Sequence, residues 1–80
     1  MSEPYARYRF FYVVQEPLLA GRKTHNYRVY NITSGGELGL IAWYGPWRQY
    51  CFFPQDGTVW SGGCLHDIQA CLTRLSGVPR

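Results

Sequence analysis

Eighty residues fill one domain and leave no room for a second, and a domain of this size buries only about 60–65% of its unfolded surface, so each large side chain matters. Eight Lys and Arg against five Asp and Glu give a net charge of +3, well short of the footprint of a strong non-specific DNA binder. No apolar stretch approaches the roughly 18 residues of a membrane span, Met-Ser-Glu-Pro-Tyr does not resemble a secretory signal, and an odd number of cysteines points to reduced thiols in the cytoplasm.

In chain order, residues 1–6 are expected to form a flexible arm, residues 7–60 a β-sheet and residues 61–76 a C-terminal helix. Arg7–Gln15 is rich in strand formers and alternates, with Tyr8, Phe10, Tyr12 and Val14 on one face and Arg7, Arg9, Phe11 and Val13 on the other. Glu16-Pro17 ends it, because proline has no N–H for a ladder. A polar, basic loop, Gly21-Arg22-Lys23-Thr24-His25, leads to a second strand at Asn26–Ile32. Thr33-Ser34-Gly35-Gly36 is a hairpin turn in which glycine supplies positive φ. Glu37–Trp43 follows as a strand, Gly45-Pro46 breaks it, and Arg48–Phe53 returns antiparallel. Pro54-Gln55-Asp56-Gly57 is another turn signal, after which Thr58-Val59-Trp60 would add a short edge strand.

Ser61 stands at a helix N-cap position, and Gly62-Gly63 lets the chain turn into the helix. Cys64, Leu65, Ile68, Cys71, Leu72 and Leu75 then lie on one stripe at helical spacing. Asp67 in the first turn and Arg74 in the last suit the helix dipole, while Gly77 suits C′ and Pro79 forbids continuation. About twelve helical residues are marginal alone in water, so the stripe must pack on the sheet. The expected fold is therefore α+β: a small antiparallel meander of three to four strands with one C-terminal helix on one face.

The segment Ile41–Phe53 is dense in aromatic residues, and with Leu38-Gly39, Pro54, Thr58-Val59 and Cys64-Leu65-x-Asp67-Ile68 it resembles a family of short uncharacterised proteins of bacterial, prophage and phage genomes. The resemblance covers residues 26–75. It implies a mobile-element setting, hence a host-cell cytoplasm, and a compact β-then-α domain; it implies no activity.

Catalytic constellations are missing. The glycine pairs lack the remainder of a phosphate-binding loop, and the five carboxylates are scattered over arm, turns and helix start. Cys64 and His66, two apart on a helix, point about 200° apart and cannot form a nucleophile–base pair. Cys64 and Cys71 lie about 10.5 Å apart along the axis, too far for one zinc or a disulfide. No enzyme, metal or cofactor is therefore expected.

Binding remains. The seven Tyr, four Phe and three Trp are difficult to bury together in so small a core, and six of the eight cations precede the helix, making the sheet side the more positive. Alternation puts Arg48, Tyr50 and Phe52 on one face, with Gln49, Cys51 and Phe53 on the other. If the helix covers the Cys51/Phe53 face, Arg28, Tyr30, Arg48 and Tyr50 form an open aromatic-basic surface that Trp43 and Trp47 extend. Such surfaces hold single-stranded nucleic acid or a nucleotide, with rings stacking on bases and Arg pairing phosphate. The same residue types make hot spots for a protein, so an accessory or inhibitor protein occluding a host complex is the alternative. The competing structural explanation is that Trp43, Tyr50 and Phe52 are core. A homodimer through the edge of Arg7–Gln15 is a further expectation.

Overall fold

The computed structural model describes residues 4–76. Five antiparallel strands lie in chain order across one sheet: β1 (Ala6–Arg7), β2 (Phe11–Gln15), β3 (Tyr27–Asn31), β4 (Glu37–Tyr44) and β5 (Gln49–Pro54). One helix, α1 (Gly62–Ser76), packs most closely along β5. The α+β meander with a terminal helix matches the architecture expected from the alternation and the turn signals, with a fifth strand added at the N-terminal edge.

That fifth strand comes from a break that alternation does not reveal. Tyr8-Arg9-Phe10 contains no glycine or proline, yet the chain turns there, the Tyr8 N–H donating to the Phe11 carbonyl at 2.8 Å. Arg7–Gln15 is thus a hairpin, with Ala6 opposite Val13 and Arg7 opposite Tyr12. Of the arm expected at residues 1–6, residues 1–3 lie outside the described residues, and the last two are docked: Ala6 is buried, and the Tyr5 N–H donates to the Val13 carbonyl at 2.7 Å. Having β1 on one side and β3 on the other, β2 offers no long edge, so dimerisation through Arg7–Gln15 loses its basis.

The core is made by one face of the sheet and one stripe of the helix. Phe11, Val13, Tyr27, Val29 and Ile41 point to the helix side, and Ile68 and Cys71 meet them. Tyr50, Phe52, Trp60, Leu72 and Leu75 close its margins. Leu65, expected on the stripe, is instead 51% exposed. Ser61 caps α1 as its position suggests, its Oγ accepting from the Cys64 N–H at 3.2 Å. Arg74 lies in the last turn, but Asp67 falls beyond the first, since the helix starts at Gly62. Gly77 and Pro79 lie outside the described residues. Thr58-Val59-Trp60 is not a strand: Trp60 folds inward, its ring edge-on to Phe52 at 4.9 Å and its Nε1–H donating to Thr58 Oγ1 at 2.9 Å.

Several weak acids are held neutral by this packing. Burial, reinforced by the neighbouring Cys71 thiol, pushes Tyr8 up to about 12. Burial also raises Tyr5, Tyr50 and Cys71. Each favours the fold while protonated, so its contribution is complete below the unfolded value and is lost as pH rises through the folded one. Denaturant midpoints should therefore hold up to about pH 9 and fall between about pH 9 and 12, with the tyrosinate absorbance of Tyr5, Tyr8 and Tyr50 appearing together with unfolding. Full tyrosine ionisation in a chain whose circular dichroism stays native would contradict this packing.

Candidate interaction surface

The helix covers the Tyr50/Phe52 face, so the condition for the open Arg28–Tyr50 surface, a helix over Cys51 and Phe53, is not met. Register places Ile41 opposite Phe52 and Trp43 opposite Tyr50, so Tyr50 and Phe52 share the side of Ile41, Val29 and the helix. Gln49, Cys51 and Phe53 lie on the uncovered side. There the cross-strand rows run Arg7–Tyr12–Tyr30–Glu37, then Val14–Arg28–Leu40–Phe53, then Ala42–Cys51, then Tyr44–Gln49.

This outer face carries an aromatic group at each end. Tyr12 stacks on Tyr30 with centroids 5.5 Å apart and planes 27° from parallel. At the opposite end Tyr44 meets Trp47 edge-on at 5.1 Å and Phe53 at 6.2 Å. Trp47 is 67% exposed and Phe53 43%. Between the two groups sit the smaller side chains of Val14, Leu40, Ala42 and Cys51, all half-buried.

The charge at its centre is already compensated. Arg28 donates from Nε and Nη2 to the two carboxylate oxygens of Glu16, at 3.0 and 3.2 Å, and from Nη1 to Glu37 Oε2 at 2.8 Å. Gln55 Nε2 donates to the same Glu37 oxygen at 2.7 Å. These bonds raise the guanidinium further above its ordinary value, and the Arg28 and Gln55 donors hold the Glu37 carboxyl below its own. A β-bulge brings Glu37 here. Val29 pairs Gly39 while Tyr30 pairs Glu37, which leaves Leu38 as the extra residue. Strict alternation from Gly39 would have sent Glu37 to the helix side; the bulge instead turns Leu38 to the core and Glu37 to Arg28.

The six residues proposed as one binding patch are therefore divided. Arg28 and Tyr30 lie on the outer face, Arg28 with its donors engaged by carboxylates. Trp43 and Tyr50 lie on the helix side, edge-on to each other at 5.5 Å, with Tyr50 against the core and Trp43 at its rim. Trp47 and Arg48 occupy the β4–β5 connection, a 3₁₀ turn (Gly45–Trp47) closed by the Arg48 N–H donating to the Gly45 carbonyl at 3.1 Å. Arg48 is exposed and left-handed, at φ 51°, a conformation costing a non-glycine residue about 1 kcal/mol. Tyr12, Tyr44, Phe53 and Arg7 were not singled out, although alternation anchored on Phe11 and Val13 as core would have found Tyr12; it puts Arg7 on the core face, and only the turn at Tyr8–Phe10 returns Arg7 beside Tyr12.

Among the described residues, no three His, Cys, Asp or Glu side chains are grouped to hold a metal, and no helix is long and apolar enough to cross a membrane. Cys51, Cys64 and Cys71 are free thiols.

No protein-family model matches the chain, and no solved structure matches it. The chain is similar to an uncharacterised 9.3 kDa protein of Acholeplasma phage L2, with 34% identity over 55 residues that span 69% of this chain and 70% of the phage protein.

Proposed function

Starting from the fact that the chain belongs to the family of small uncharacterised phage proteins that includes the 9.3 kDa protein of Acholeplasma phage L2, we propose that it is a non-enzymatic accessory protein that docks a host protein on its outer sheet face. The observation that carries this reading is the chemistry of that face: exposed and half-exposed Tyr, Trp and Phe around a central arginine already neutralised by Glu16 and Glu37. Arg7 and Arg28 against Glu16 and Glu37 leave that face without net charge, which gives a phosphate backbone little to hold and suits a partner with apolar pockets and a few donors. Aromatic anchors carry much of the energy in such interfaces.

Single-stranded nucleic acid or a nucleotide is the second reading, favoured by a different spot. Arg7 adjoins the Tyr12–Tyr30 stack beside a pocket of about 290 Å³ lined by Pro4, Arg7, Tyr12 and Ile32. A base on the ring with its phosphate on Arg7 is the arrangement such a spot would suit.

One pair of variants separates the two. Immobilised wild-type protein is expected to retain a specific host protein, and Tyr44→Ala combined with Phe53→Ala to weaken that complex about a hundredfold or more, with Arg7→Ala nearly without effect. Fluorescence anisotropy of a labelled oligonucleotide supplies the opposing outcome. Binding that falls steeply between about 50 and 200 mM salt and is lost in Arg7→Ala would overturn the protein-docking reading.

A further inference from the structure

The two edges of the sheet are treated differently. The N-terminal edge is a strand of only two residues that ends in a charged side chain, Arg7. Short length and charge are both devices that discourage further strand pairing. β5, at the other edge, runs six residues, Gln49–Pro54, and carries no charge. Only Pro54 at its end opposes pairing.

The register fixes which β5 groups are free. The Gln55 N–H donates to the Leu38 carbonyl at 2.9 Å, so this directly opposed pair is a hydrogen-bonded one. Hydrogen-bonded and non-bonded pairs alternate along an antiparallel ladder. Phe53 with Leu40, Cys51 with Ala42 and Gln49 with Tyr44 therefore bond inward, whereas Tyr50 and Phe52 aim their N–H and C=O groups outward. Among the described residues no loop or turn supplies backbone partners for those groups.

We propose that β5 is a self-pairing edge, and that two copies of this chain join antiparallel through it about a two-fold axis at Cys51. In that register Tyr50 of each copy exchanges both backbone bonds with Phe52 of the other, giving four new hydrogen bonds. Tyr50 and Phe52 also form two cross-strand aromatic pairs on the helix side, a favourable combination. Shifting the pairing by two residues puts Tyr50 opposite Pro54, whose missing N–H leaves a carbonyl unmatched on each copy. Because the strand is uncharged, its own copy meets no like-charge opposition, and an isologous contact closes at two subunits without propagating. The product is a ten-stranded sheet in which the two outer faces become one. This proposal is independent of what those faces bind.

Cys51 provides the test. At the axis it would oppose its own copy as a non-hydrogen-bonded pair, with Cα atoms about 4.5 Å apart, inside the roughly 4.4–6.8 Å range of disulfides. In a Cys64→Ser background, which removes the other half-exposed thiol, diamide should give a covalent dimer whose linked peptides map to Cys51 on both sides. Sedimentation velocity of the reduced wild type should show a concentration-dependent dimer. Cys51→Lys and Cys51→Asp should each weaken it about tenfold or more by opposing like charges, while an equimolar mixture of the two restores it with native circular dichroism. A wild type that stays monomeric to about a millimolar, far above useful affinities, would overturn the proposal. So would a dimer indifferent to Cys51→Lys, or an edge that pairs only with an added foreign peptide. Should Cys51→Lys fail to fold, the location of the disulfide decides.

Discussion

Replacing Gly39 by alanine is expected to cost about 3 kcal/mol or more, among the most damaging single-methyl additions the chain could receive. Gly39 is buried in β4, and a Cβ there would stand 2.6 Å from Phe52 Cε1, 2.8 Å from Phe52 Cζ and 2.7 Å from the Phe53 carbonyl oxygen. The ring could swing only by leaving Trp60, which it meets edge-on. The carbonyl cannot swing, because it belongs to the β5 backbone, where Phe53 bonds inward to Leu40. Against a total stability of about 4–12 kcal/mol for eighty residues, the variant should unfold at much lower denaturant or fail to fold. Urea titration followed by tryptophan emission measures it, and a midpoint within a tenth of wild type would show that the β4–β5 packing is wrong.

The same contact explains what alternation could not decide. The strand pattern of Arg48–Phe53 is equally consistent with Tyr50/Phe52 or Cys51/Phe53 facing the helix, and Arg48, alternating with Tyr50 and Phe52, even favours the first as an exposed surface. What chooses is long-range. The missing side chain at Gly39 leaves a hollow on the face of Val29 and Ile41, and the Phe52 ring fills it. A glycine inside a strand is a signal of close approach, and Gly39 could have been interpreted that way. Leu38, beside it, supplies the bulge that moves Glu37 to the outer face, and nothing local marks it. By contrast α1 was legible because all its signals are local: the Ser61 hydroxyl, the Ile68/Cys71/Leu72/Leu75 spacing and Arg74 in the last turn. The hairpin turn at Gly35 and the turn at Gly57, both at positive φ, were legible for the same reason. At Arg48 the left-handed residue is not a glycine, so the turn was marked only by the preceding Gly-Pro. The candidate site inherited the error of face, since a one-sided choice moves every second residue at once.

Phe10 and Phe11, adjacent in sequence, should respond to alanine in opposite ways. Phe11 is fully buried, stacked on Tyr8 at 5.0 Å and edge-on to Trp60 at 6.1 Å, so it joins the first hairpin to the segment leading into the helix. Truncating a buried phenylalanine removes its transfer energy and leaves a cavity, together about 3–5 kcal/mol. In so small a domain the neighbours that could relax into the space are few: Val13 and Val29 are held by strand pairing on both sides. Phe11→Ala is therefore expected to be mostly unfolded at physiological temperature. Phe10 lies in the turn, 51% exposed, with the Arg9 guanidinium over its ring at 5.1 Å. Losing that exposed contact costs about 0.5–1 kcal/mol. A continuous strand from Arg7 to Gln15 would instead place Phe10 with Tyr8, Tyr12 and Val14 on one face. Thermal melts of the two variants thus test the core. A gap of several kcal/mol in favour of Phe10→Ala is expected; equal destabilisation would mean that Phe10 is packed as firmly as Phe11 and that the burial of Phe11 is wrong.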